Sequence, residues 1–192
     1  MARELLDGRS TMTRSGRKRV GSERGFTLIE LGVVVVIVGI LAVLAVVGYR
    51  KLLLNSKMTE AKNMISAIRI AEEDHKAEAG TYLNISAEYC PSDGSQQKKF
   101  AWENPACAGN AWAQLPVHAD GPVQFGYIVF AGTTVQQPPG VSAQLIDVSP
   151  AAGKNIPYYV VHAKADLEPG GVYTELAGSS FGGQIYTLND GQ

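Results

Sequence analysis

Few side chains in this chain are spaced for chemistry. His75, His118 and His162 lie far apart, and no Ser or Cys stands near one of them in a recognisable nucleophile frame. The Gly-rich stretches lack the strand, helix and Lys of a phosphate-cradling loop. Catalysis is not expected. Three other features invite a chemical reading: the Gly25-Phe26 junction, Glu30, and the pair Cys90 and Cys107. Glu30 is the only ionisable side chain between Phe26 and Val47, inside a run rich in Val, Ile and Leu. A carboxylate in hydrocarbon costs a few kcal/mol, so it marks function by default and calls for a cationic partner. Cleavage after Gly25 would create one, the new amino group of Phe26. Either the same chain or a neighbour in a staggered parallel stack could supply that amine. In both cases Glu30 is a packing residue and not a catalytic one.

The elements that must position these residues follow from charge and periodicity. Residues 1–25 carry seven Arg or Lys against three Asp or Glu, and residues 26–192 carry ten against fifteen. A basic leader before an apolar span predicts a cytoplasmic N-terminus and an exported C-terminal part. Residues 26–49 are long enough as a helix to cross ~30 Å of hydrocarbon. A secretory signal peptide would carry its small-residue cleavage site after the apolar stretch, whereas Gly25-Phe26 precedes it. Residues 1–25 are therefore read as a removable leader, with Met12 an alternative start to Met1.

Residues 50–79 continue the helix as an amphipathic half. Leu54, Met58, Ala61, Ile65 and Ile68 recur at spacings of four and three, the stripe of a helix that needs a cover. The stripe passes to Glu72 and His75, so its far end is expected to be less buried. Gly80 is the stop signal, with Lys76 in the last turn.

The words Gly25-Phe26-Thr27-Leu28-Ile29-Glu30 closely resemble the class III signal of type IV pilins and of the pseudopilins of type II secretion. The resemblance covers Arg24 to about Leu54. It implies that a membrane-embedded aspartyl prepilin peptidase cuts after Gly25 and methylates Phe26, and that Glu30 sets the register of assembly. The family usually carries a Pro where Val47 stands here. Its absence predicts a more continuous helix, with Gly39 and Gly48 as weak points costing about 1 kcal/mol each.

Residues 80–122 read as an irregular connector holding both cysteines and both tryptophans. In an exported segment an even count favours one Cys90–Cys107 disulfide, with two free thiols the alternative. Metal ligation is disfavoured because no His or further Cys is suitably spaced. Trp102 and Trp112 are expected to pack beneath the bridge or, alternatively, to display a contact surface. Asn84-Ile85-Ser86 matches a glycosylation sequon by pattern.

Residues 123–192 switch to a period of two. Strands are predicted at Val123–Ala131, Tyr158–Asp166, Val172–Leu176 and Gln184–Leu188, with Val141–Val148 a further short one. Short turns join the last three, an antiparallel meander whose apolar face would cover the helix stripe. The expected fold is α+β, a long N-terminal helical spine with a C-terminal sheet of about four strands on its second half.

Asp166-Leu167-Glu168-Pro169-Gly170-Gly171 is similar to an acidic turn that binds calcium in some pilins and pseudopilins. Calcium takes about six to eight oxygens, and Asp166 and Glu168 offer two carboxylates. An ordinary β-turn is the favoured reading, with no cofactor. The acidic mature part carries no electrostatic footprint for nucleic acid.

The resemblance implies a structural, non-enzymatic subunit of a type IV pilus-like filament. Its partners would be prepilin peptidase, related subunits and the inner membrane before assembly. The mature protein would then sit in an extracellular pilus or a periplasmic pseudopilus. A type II secretion pseudopilin, a minor pilin and a monomeric membrane-anchored binding module are the alternatives.

Overall fold

The structure is a computed structural model, and it describes residues 25–102, 107, 111–168 and 170–190. Of the expected leader, residues 1–25, all but Gly25 lie outside the described residues. Two compact units divide the chain, Met1–Val43 and Leu44–Gln192. The boundary falls inside a helix.

That helix, α1, is Leu28–Ala79, and every position in it is helical, including Gly32, Gly39 and Gly48. With no Pro in its interior, nothing removes an i→i−4 bond. At 52 residues it is about 80 Å long. Its first half exposes Leu, Ile and Val all round, and it is long and apolar enough to cross a membrane. Gly80, at φ 79°, accepts the left-handed backbone that ends the helix, and its N–H donates to Lys76 O at 2.8 Å.

In the second unit one face of α1 is buried: Met58, Ala61, Met64, Ile65, Ile68 and Ala71. Leu54 at the near end is only half-buried. The stripe does not weaken at its far end, contrary to the expectation, because Glu72 is 0% exposed.

The cover is a five-stranded antiparallel sheet in sequence order: β1 Ile85–Cys90, β2 Gly126–Gly132, β3 Tyr158–Asp166, β4 Tyr173–Ser179 and β5 Gly182–Leu188. The α+β architecture and the meander are as expected. The strand count is five and not four. The added strand, β1, lies in the stretch read as an irregular connector. It pairs with β2 through Ile85↔Val129 and Cys90↔Tyr127, with an irregularity between them. Such a bulged strand has no clean alternation to read.

β3 matches its predicted limits, and period two explains it. Tyr159, Val161, Ala163 and Ala165 join the core shared with α1. Tyr158 and Val160 join a second core with Val135, Val141, Leu145, Ile146 and Val148. The strand predicted at Val141–Val148 is instead a set of turns. Val141, Leu145, Ile146 and Val148 are buried, but the Gln137 side chain supplies the bonds a neighbouring strand would have made. Gln137 Nε2 donates to Val141 O and Ile146 O, both at 3.0 Å, and its Oε1 accepts from Val148 N.

β4 and β5 are longer than predicted. Gly182 and Gly183, read as punctuation, belong to β5 because Arg69 of α1 reaches their carbonyls. Its Nη2 donates to Gly182 O at 2.7 Å, its Nη1 to Gly183 O at 3.0 Å, and its Nε to Tyr159 Oη at 3.4 Å. Close approach of helix and sheet also explains Gly178. A Cβ there would lie 3.0 Å from Ile65 Cγ2 and 3.3 Å from Arg69 Cδ.

Candidate functional site

Gly25 and Phe26 precede the helix as exposed, non-helical residues, and Phe26 is 90% exposed. An exposed, non-helical junction is the form in which a peptide bond can enter a protease. Thr27 is the residue before the helix, and with Glu30 it closes a reciprocal pair. Glu30 Oε2 accepts from Thr27 N at 2.8 Å and from Thr27 Oγ1 at 2.7 Å, while Glu30 N donates to Thr27 Oγ1 at 3.2 Å. Thr-x-x-Glu is a capping box, which satisfies orphan N–H groups at a helix start.

This local role for Glu30 was not read from the sequence, although Thr27 three residues ahead of it is the signal. The carboxylate's partner within its own chain is thus Thr27. Glu30 Oε1 makes no hydrogen bond within the described residues, so one oxygen stays open to a partner from outside.

In the second unit Cys90 and Cys107 form the expected disulfide, with Cα atoms 5.7 Å apart and both residues buried. Beneath it Trp102 and Trp112 meet edge to face at 5.2 Å between centroids, and Trp102 meets Tyr127 in the same way at 5.9 Å. The tryptophans are core residues under the bridge, the first of the two readings.

The three histidines remain apart. His75 Nδ1 is 2.9 Å from Thr81 O at the end of α1, and His118 is exposed. His162, 1% exposed on β3, bridges Tyr89 Oη at 2.8 Å and Glu175 Oε2 at 3.1 Å. A hydroxyl, an imidazole and a carboxylate in a row have the connectivity of a nucleophile, base and orienting acid. Burial, however, pushes the Tyr89 hydroxyl up to about 12, with Glu175 adding to the effect. The trio therefore serves as a hydrogen-bonded tie across β1, β3 and β4. Sequence reading missed it because strand pairing, not spacing, brings residues 89, 162 and 175 together.

Asp166 ends β3, where its N–H donates to Gly94 O and its Oδ1 accepts from Gln97 Nε2 at 3.4 Å. Glu168 is exposed in the following bend, and Pro169 lies outside the described residues. Among the described residues no three His, Cys, Asp or Glu side chains gather as a metal site.

The profile for the prokaryotic N-terminal methylation motif matches residues 21–46, which hold the junction, the capping box and the first half of α1. The type IV major pilin protein PilA of Myxococcus xanthus is 36% identical over 104 residues, 51% of this chain and 46% of that protein. A fimbrial protein of Pseudomonas aeruginosa is 32% identical over 105 residues, 54% of this chain and 66% of the relative. The fimbrial protein EcpC of Eikenella corrodens is 37% identical over 60 residues, 31% of this chain and 39% of the relative. No solved structure matches the chain. The motif and these likenesses are to type IV pilins and fimbrial proteins. The chain spans just under half the length of the first of these relatives and 66% of the second.

Proposed function

We propose that the chain is a structural, non-enzymatic subunit of a type IV pilus-like filament. It is cut after Gly25 by prepilin peptidase, methylated on Phe26, held in the inner membrane by residues 26–49, and assembled by stacking of α1 helices. The observation that carries this reading is the first half of α1. It is rich in apolar side chains all round and is covered by nothing among the described residues. Such a helix needs lipid first and other helices afterwards. The names of the relatives, a major pilin and fimbrial proteins, support a filament.

Glu30 sets the register. Its Oε2 is held by Thr27, and its Oε1 accepts from the Phe26 amine of a neighbouring subunit. The pairing neutralises a charge that would otherwise be stranded among apolar helices. The experiment is Glu30→Ala in cells. The variant is expected to be processed and held in the membrane but to be absent from sheared filaments. Filaments containing it at the unaltered level would overturn the assembly role.

A further inference from the structure

Asn84-Ile85-Ser86 sits where the helix gives way to the sheet, and the fold uses only part of it. Ile85 opens β1 and is buried in the core. Successive side chains along an extended chain point to opposite faces, so Asn84 and Ser86 share the outer one. Burial follows that rule, with Asn84 exposed and Ser86 half-buried. Asn84 Oδ1 accepts from Ala131 N at 3.0 Å, which fastens the start of β1 to β2. That bond accounts for the oxygen of the amide and leaves its nitrogen unexplained.

The nitrogen donates to Ser86 Oγ at 3.0 Å. A primary amide carries two N–H groups, so one hydrogen is left for solvent or for replacement. Asn-x-Ser, with x other than Pro, is the acceptor pattern of N-linked glycosylation, which belongs to exposed segments of exported proteins. Here the two polar members of the pattern touch each other on the edge strand of the sheet. Spacing alone does not guarantee that contact.

Beside the amide lies a hollow of about 410 Å³, whose lining includes Asn84, Ser86, Thr133, Thr134, Gln136 and Tyr158. Among the described residues no Asp, Glu, Lys or Arg lines it. Thr133 and Gln136 are exposed at its mouth. Hydroxyls and amides both donate and accept hydrogen bonds, which is the chemistry that sugar hydroxyls need. A first sugar carried on Asn84 Nδ2 has this uncharged shelf to rest on.

We propose that Asn84 is a site of N-linked glycosylation. The inference goes beyond the filament reading and needs only that residues 80–192 are exported. The donor is a lipid-linked oligosaccharide activated through a diphosphate, and the catalyst is a separate membrane transferase. The bond from sugar C1 to the diphosphate oxygen breaks, and a bond from C1 to Asn84 Nδ2 forms. One amide proton passes to a base of the transferase, and nothing is oxidised or reduced. The remaining Nδ2 hydrogen and Oδ1 stay available to Ser86 and Ala131.

The test is mass spectrometry of the full chain recovered from the envelope and filaments of its cells of origin, with fragmentation that keeps side-chain modifications in place. The tryptic peptide of residues 77–98, bounded by Lys76 and Lys98, is expected to carry one or more sugar units on Asn84. That mass should be lost in Asn84→Gln and Ser86→Ala and kept in Ser86→Thr. Ser86→Ala leaves the bond from Ala131 N to Asn84 in place, so it separates loss of the acceptor pattern from loss of the fold. An unmodified Asn84, a sugar on Ser86 instead, or a sugar that persists on Asn84 in Ser86→Ala would overturn the proposal. A chain that starts at Phe26 with a bare Asn84 would leave the filament reading standing, and a glycosylated chain that retains residues 1–25 would do the reverse.

Discussion

Glu72 and Leu83 are joined across the end of α1. Glu72 Oε2 accepts the Leu83 N–H at 2.9 Å, while its buried Oε1 has no hydrogen-bond partner among the described residues. The bond ties the chain leaving the helix back onto the helix just before β1 begins. It comes from a carboxylate placed at a core position, where an apolar residue would continue the stripe.

This placement predicts a pH dependence. Burial is the largest cause raising the Glu72 carboxyl from 4.5 to about 7, and the bond from Leu83 N and the nearby His75 only partly offset it. An acid raised in the folded state holds its proton more tightly folded than unfolded. Its contribution is therefore fully present below about pH 4.5 and is lost as pH climbs through about 7, on the order of 2 kcal/mol. Thermal unfolding of the full chain in detergent should show that loss between pH 5 and 8, buffered at about those values. Glu72→Gln keeps the acceptor for Leu83 and should remove this slope, and an equal slope in that variant would refute the assignment.

Arg69 clamps the start of β5 to α1 through two backbone carbonyls. Arg69→Ala leaves Gly182 O and Gly183 O to water and should cost about 1.5–3 kcal/mol, the range for hydrogen bonds to charged groups. Arg69→Lys should recover part of that, since one ammonium cannot reproduce the two-pronged geometry. Chemical denaturation of the three proteins side by side reads the order.

The Cys90–Cys107 bridge closes a loop with a sequence separation of 17. In the chain-entropy account such a loop is worth ~3 kcal/mol. Replacing both cysteines by Ala should lower stability by about that much and expose Trp102 and Trp112, which are buried beneath the bridge. A red shift of tryptophan fluorescence in the native state is the expected sign. An unchanged spectrum and midpoint would mean that packing alone holds the loop.

What the sequence made legible follows a physical division. The junction at Gly25, the charge at Glu30, the buried stripe from Met58 to Ile68 and the limits of β3 all express local rules of type, spacing and period. The features it concealed depend on partners remote in sequence. β1 is a strand because β2 accepts it across a bulge, not because Ile85–Cys90 alternates. Val141–Val148 has a strand's composition, but Gln137 bonds it into turns. Gly182 and Gly183 look like breakers until Arg69 supplies a reason for bare backbone there. Glu72 looks like the fading end of a stripe until Leu83 folds back onto it. Only the Thr27–Glu30 capping box was both local and missed, because the charge of Glu30 drew the reading toward an external partner.

The central claim is that Phe26 begins the mature protein and that this protein builds a filament. Mass spectrometry of filaments sheared from intact cells tests both at once. The account predicts an abundant peptide starting at N-methyl-Phe26 in the sheared fraction. A chain that retains residues 1–25 in every fraction would contradict it.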